Sequence, residues 1–162
     1  MNVSLSDAVL LGHAAFGVAG SLAALWVFVE ALNARTGNIG RIRAAAWIAA
    51  ACIAGAWICG GYWYLHFYPS ERAMILAGPW PFAHNVFMET KEHLFFVTAI
   101  LALLLPLAAR GPLHANEYSR KLVLSIAGLV AITGMAMEGA GAVIDHGVKV
   151  ALLQQDGLQH AR

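Results

Sequence analysis

Residues 84–109 read HNVFMETKEHLFFVTAILALLLPLAA. After Lys91, Glu92 and His93 this stretch has no charged residue until Arg110, and its 26 positions exceed the roughly 20 that a helix needs to cross a hydrocarbon core. Read as a strand it would have to alternate, and it does not. The stretch therefore predicts a membrane-spanning helix that carries acidic and imidazole groups at its N-terminal end.

Working outward, three further apolar stretches are drawn at about 8–33, 43–68 and 119–150. The whole chain of 162 residues is 60% hydrophobic and 12% charged, with mean hydropathy +0.67, against roughly a quarter charged in a soluble domain. The four stretches leave no room for a soluble domain. The expected fold is an all-α integral membrane protein, a four-helix up-down bundle forming one domain over 1–162. A net charge of +1 with no basic cluster excludes an electrostatic nucleic-acid partner. Cys52 and Cys59 lie seven residues apart on one helix, about 10 Å along its axis, too far for a disulfide.

Basic residues set the orientation. Arg35, Arg41 and Arg43 flank the first loop, and Arg110, Arg120 and Lys121 the third. The positive-inside rule places both in the cytoplasm and both termini in the periplasm of a bacterial inner membrane. The N-terminus lacks the basic start of a signal peptide, and Ser6 or Asp7 is expected to cap the first helix. Thr36-Gly37-Asn38, Pro69-Ser70, Pro79-Trp80-Pro81 and Gly111-Pro112 mark the boundaries. The outer connection around 69–83 carries Met74, Ile75 and Leu76 and is expected at the interface, with Tyr62, Trp63, Tyr64, Tyr68 and Trp80 as an aromatic belt.

Eighty residues separate His13 from His93, and eighty separate His66 from His146. Phe16/Phe96, Ala19/Ala99, Leu25/Leu105 and Arg41/Lys121 match at the same offset, which raises two duplicated helical hairpins as parallel repeats. Counted from the cytoplasmic ends at about 1.5 Å per residue, His13, Glu89 and Glu138 lie near 30 Å, Glu92 and His93 near 25 Å, and His66, His84, Asp145 and His146 at about 35–40 Å. Glu89, Glu92 and His93 share an arc of roughly 100° on the third helix. Glu138, Ala142, Asp145 and Lys149 form a stripe on the fourth, beside Gly134, Gly139, Gly141 and Gly147.

Intramembrane carboxylates are costly and mark sites, cavities or partners. The candidate cofactor or metal ligands are thus His13, His66, His93 and His146, with Glu89, Glu92 and Glu138 as catalytic acids or bases. His84 reads as an interfacial or capping residue, His114 and His160 as solvated, and Glu30 as snorkelling or paired with Arg35. Lys91, Asp145 and Lys149 read as ordinary interfacial residues.

Imidazoles on facing helices can ligate haem b axially, with the carboxylates taking protons from a quinol. The alternative is a non-haem iron, copper, zinc or manganese centre that uses Glu89, Glu92 and Glu138 as ligands. Glu89-x-x-x-His93 departs from the Glu-x-x-His spacing of carboxylate-bridged di-iron bundles. A proton or metal-ion conduit is a third reading, weakened by the lack of polar residues in the inner half. In span number and helix-borne histidines the chain resembles four-helix b-type cytochromes, although it shares no local motif with them and no residue roles are carried over. The functional expectation is a membrane oxidoreductase or electron-transfer protein holding haem b near the periplasmic face. Its partners would be the bilayer, quinol, a periplasmic electron acceptor and a larger membrane complex or oligomer.

Overall fold

The computed structural model describes residues 4–160, with helices α1 (Leu5–Leu32), α2 (Ile39–His66), α3 (Tyr68–Ala77), α4 (Glu89–Ala108) and α5 (Glu117–His160). A π-helical turn, Ala83–Met88, runs directly into α4. Helices α1, α2, α5 and the combined Ala83–Ala108 segment are each long and apolar enough to span a membrane. This is an integral membrane four-helix bundle. Helix α1 packs on α2 and α5, and α4 packs on α5 and α2, closing a ring.

The interior of the ring is built from small side chains. Ala23, Ala24, Ala45, Ala46 and Ala49 are buried at the end carrying the two short basic loops, together with Ile42, Leu105 and Val123. Large side chains point outward: Leu11, Leu22, Trp47, Ile58, Phe96 and Ile132 are all exposed on the single chain. Lipid tails are as apolar as leucine, so burying leucine between helices brings no solvent-driven gain in a bilayer, and small residues that let backbones approach are favoured instead. Gly20 shows the tolerance, since a Cβ there would stand 2.8 Å from Ile53 Cδ1 and 3.2 Å from the Ile53 backbone nitrogen. Among the described residues no glycine has positive φ, so the glycines serve space rather than turns.

Buried hydroxyls are answered locally. Thr98 Oγ1 donates to Thr133 Oγ1 at 2.8 Å, and Ser21 Oγ donates to Gly17 O at 2.9 Å. At the loop end Asn38 is buried and donates to Glu30 O, the Glu30 carboxylate and Asn33 O, while its Oδ1 accepts from Arg35 N at 2.7 Å. Glu30 pairs with Arg41 through two bonds of 2.9 and 3.1 Å, not with Arg35 as the loop sequence suggested. Arg41 sits on the first turn of α2, where its fork can meet the carboxylate side by side. Arg43 reaches across to donate to Ala109 O and Arg110 O, satisfying carbonyls that the end of α4 leaves open.

Other boundaries also differ from expectation. The cap of α1 is Ser4, which forms a reciprocal capping box with Asp7; the pairing needs a serine three residues before the acid, which Ser6 is not. Helix α5 has 44 residues and continues past 150 to His160, about 66 Å at the usual rise, because no breaker follows Lys149 until well beyond the core. The outer connection is a helix in its own right, and Ile75 of α3 is fully buried in a second core with Trp63, Tyr68, Ala83, Met88 and Ile144. Gly147 makes that seat possible, since a Cβ there would meet Ala83 Cβ at 2.8 Å.

Candidate functional site

The two cores leave a gap between them. On the side of the termini, α1, α2, α4 and α5 diverge around a cavity of about 830 Å³ whose walls include Leu10, Trp57, Phe95 and Phe96. Its acidic and basic groups come from α1, α4 and α5 and from α3: His13, Lys91, Glu92, Glu138 and Asp145, with Glu71.

His13 is the most defined of these. Its Nδ1 lies 2.8 Å from Ala56 O, and a carbonyl only accepts, so Nδ1 carries a proton and, in the neutral ring, Nε2 keeps its lone pair. The ring fits because residue 60 is glycine; a Cβ there would stand 2.5 Å from Nδ1 and 2.7 Å from Cε1. Lys91 Nζ is 3.5 Å from Nε2. The ion pairs within 4.0 Å among the described residues are Arg41–Glu30, His84–Glu89, Lys121–Glu117 and Lys149–Asp145. Lys91 is in none of them, although it is more buried than any of the four cations just named except His84. It points toward Gly141, where a Cβ would come within 3.1 Å of Nζ.

Glu138 occupies the notch left by Gly17, whose Cβ would collide with the carboxylate. Glu92 has an Oε1 that is buried and without a hydrogen-bond partner, an arrangement that asks for a proton, a water or a ligand. At the mouth, burial and the neighbouring Asp145 push the Glu71 carboxyl above the ordinary carboxylate range.

The remaining sequence candidates lie elsewhere. His66 is exposed, bonds Tyr62 O at 2.9 Å and stacks on the Tyr62 ring. His93 is exposed and bonds Glu89 O at 2.6 Å. His146 is exposed against Trp80, with ring centroids 4.8 Å apart. Glu89 is exposed near His84. The 80-residue offset therefore does not carry into environment, since His13 faces the cavity and His93 the periphery. Among the described residues no three His, Cys, Asp or Glu side chains group as a metal site would.

The sequence singled out His13, Glu92 and Glu138, which share the cavity; it gave Lys91 only an interfacial role and His84 an interfacial or capping one, and offered no role for Glu71. Lys91 carried a signal in its setting, a cation between Glu89 and Glu92 on a spanning helix. His84 is 3% exposed, and no local pattern announced that; its burial depends on α3 folding back over the bundle.

The site thus offers a cationic donor, an imidazole acceptor and the carboxyl groups of Glu71, Glu92, Glu138 and Asp145 in a cavity with aromatic walls. Such a set can hold a ring bearing carbonyl or hydroxyl oxygens and can accept its protons. No protein-family model, curated protein or solved structure matches this chain.

Proposed function

We propose that the protein is a membrane electron-transfer component that binds a quinone-class molecule in this cavity. The observation that carries the reading is the facing pair of Lys91 and His13 Nε2, a donor and an acceptor at the polar end of an otherwise apolar space. A quinone carbonyl accepts from Lys91, and a quinol hydroxyl donates to His13. Oxidation of the quinol to quinone releases two protons and two electrons. The protons go to His13 and Glu138, and the electrons to a one-electron centre, haem or metal, on a partner protein. With the basic loops in the cytoplasm, the cavity serves the periplasmic half of a bacterial inner membrane. Beyond it, among the described residues, the buried polar side chains are Ser21, Asn38 and Thr98, none of them ionisable, which disfavours a through-membrane proton or metal-ion conduit.

A second reading keeps haem b, with His13 as its single axial ligand. In its favour, Nδ1 is tied to a carbonyl, the support that metal-bound imidazoles ordinarily have. Against it, Lys91 competes for the Nε2 lone pair, and His66, His93 and His146 do not face the cavity. A non-haem centre built with Glu89, Glu92 and Glu138 has less support, since Glu89 stands outside.

The test is a titration of the purified protein in detergent with decylubiquinone, read by quenching of tryptophan fluorescence, alongside a visible spectrum. The expected result is saturable quenching, weakened in Lys91→Met and His13→Phe. A Soret band lost in His13→Phe, with no saturable quenching, would replace the quinone reading with the haem one.

A further inference from the structure

One buried pair lies outside the lining of the cavity. Tyr68, the first residue of α3, is 1% exposed, and its hydroxyl lies 2.8 Å from Nδ1 of His84, itself 3% exposed. His84 Nε2 points the other way, 3.7 Å from Glu89 Oε1. A carboxylate facing Nε2 favours the proton there, which leaves Nδ1 as the acceptor and makes the phenol the donor. The resulting order is phenol, imidazole, carboxylate, running from the interior to an exposed acid. His84 is set at this angle by the π-helical turn at Ala83–Met88, a distortion that recurs at functional sites.

Tyr68 also touches the cavity through its own neighbours. Its ring stacks with Tyr64 at 5.3 Å between centroids and lies 5.5 Å from Trp63, and both of those side chains line the cavity. We infer that Tyr68 is a redox-active tyrosine that passes electrons out of the cavity, with His84 as the base that takes its phenolic proton.

The balance is simple. A one-electron oxidant, a high-potential centre on a partner protein, removes one electron from Tyr68; the O–H bond breaks, the proton moves to His84 Nδ1, and a neutral phenoxyl radical and an imidazolium facing Glu89 remain. The radical then takes an electron through Tyr64 or Trp63 from the quinol, and His84 returns the proton. Two such cycles oxidise one quinol. Burial pushes the Tyr68 phenol well above its ordinary range, so the side chain stays protonated and its oxidation needs the adjacent base. This route rests on the quinone reading for its electron source, but the oxidation of Tyr68 is measurable with no quinone present.

The experiment uses the full chain in detergent, in a Tyr62→Phe, Tyr118→Phe background, with photogenerated tris(bipyridine)ruthenium(III) as oxidant and electron paramagnetic resonance as readout. A tyrosyl radical is expected, abolished by Tyr68→Phe and kept in Tyr64→Phe. Its formation should slow in D₂O and fall on the order of a hundredfold in His84→Gln, as loss of a positioned base does. A radical that survives Tyr68→Phe overturns the assignment. Equal rates in H₂O and D₂O overturn the proton step, and this comparison uses unaltered His84, so it stands even where His84→Gln does not fold. Added decylubiquinol should shorten the radical's lifetime; an unchanged lifetime in protein that binds the quinone overturns the link to the cavity.

Discussion

Gly60→Ala isolates the placement of His13 from its chemistry. The new methyl would stand 2.5 Å from His13 Nδ1, where ordinary contact begins at 3.4 Å, so the ring must retreat by about 0.9 Å. That movement stretches the 2.8 Å bond to Ala56 O, worth about 1 kcal/mol net, and shifts Nε2 relative to Lys91. Alanine in place of a helical glycine returns roughly 1 kcal/mol of propensity, so overall stability should barely change. Affinity should change, because displacing a positioned group by about 1 Å forfeits its contact with the ligand, and losing about 1.4 kcal/mol weakens binding tenfold. Gly40→Ala is the control, since nothing lies within 4 Å of its added carbon and it is on the same helix away from the cavity. The assay is decylubiquinone titration by tryptophan fluorescence, with thermal midpoints measured on the same samples. Equal affinity in the two variants, at equal stability, would refute the claim that His13 is a positioned ligand group.

Arg43→Ala should lower the thermal midpoint by the equivalent of about 1 kcal/mol while leaving quinone affinity intact, because it uncaps Ala109 O and Arg110 O far from the cavity; an unchanged midpoint would mean that water serves those carbonyls equally well. Glu71 binds its proton more tightly when folded, so stability should fall as pH rises from the ordinary carboxylate value through its raised one, and denaturation followed against pH should lose that slope in Glu71→Gln. In a Cys52→Ala, Cys59→Ala background, Gly37→Cys and Ser70→Cys should label from opposite sides of the membrane, with Ser70→Cys reacting in intact cells; the reverse pattern would put the cavity on the cytoplasmic side.

The sequence was most legible where bilayer physics leaves few options. A 26-residue apolar run has to be a helix in lipid, because its backbone must satisfy itself, and the observed spans agree with the expected ones within a few residues over most boundaries. Angular position was less legible. Counting at 100° per residue put Glu89, Glu92 and His93 on one arc, yet only Glu92 faces the cavity. An arc so wide includes both the inward and the lateral face of a helix in a four-membered ring. Depth alone grouped His66 and His146 with His13, but depth says nothing about which way a ring turns. What hid Tyr68 and His84 was tertiary: each is unremarkable in its own segment and becomes buried because α3 and the π-helical turn close on each other.

The asymmetry of the bundle follows from its residue sizes. Toward the basic loops, alanines at Ala24, Ala45, Ala46, Ala49, Ala102 and Ala127 are buried to 3% exposure or less, which requires close backbones along all four helices. Toward the termini, the interior positions are instead filled by Trp63, Met88 and Ile144, with Tyr68 and Ile75 supplied from α3. Side chains that large cannot enter an alanine-width seam, so the helices must part, and the wedge between them is the cavity. Glycines at 17, 60 and 141 then set how far each polar group enters that wedge. A lipid-soluble molecule can reach it past Trp57 and Phe96, which are exposed on the outer surface of the bundle and also line the cavity. Glu71 and Asp145 line the cavity as well, while the seam beyond it is built of buried alanines and other apolar side chains. On the quinone reading proposed above, substrate would enter from the membrane past Trp57 and Phe96, and the size gradient along the bundle is what places its cavity at one end.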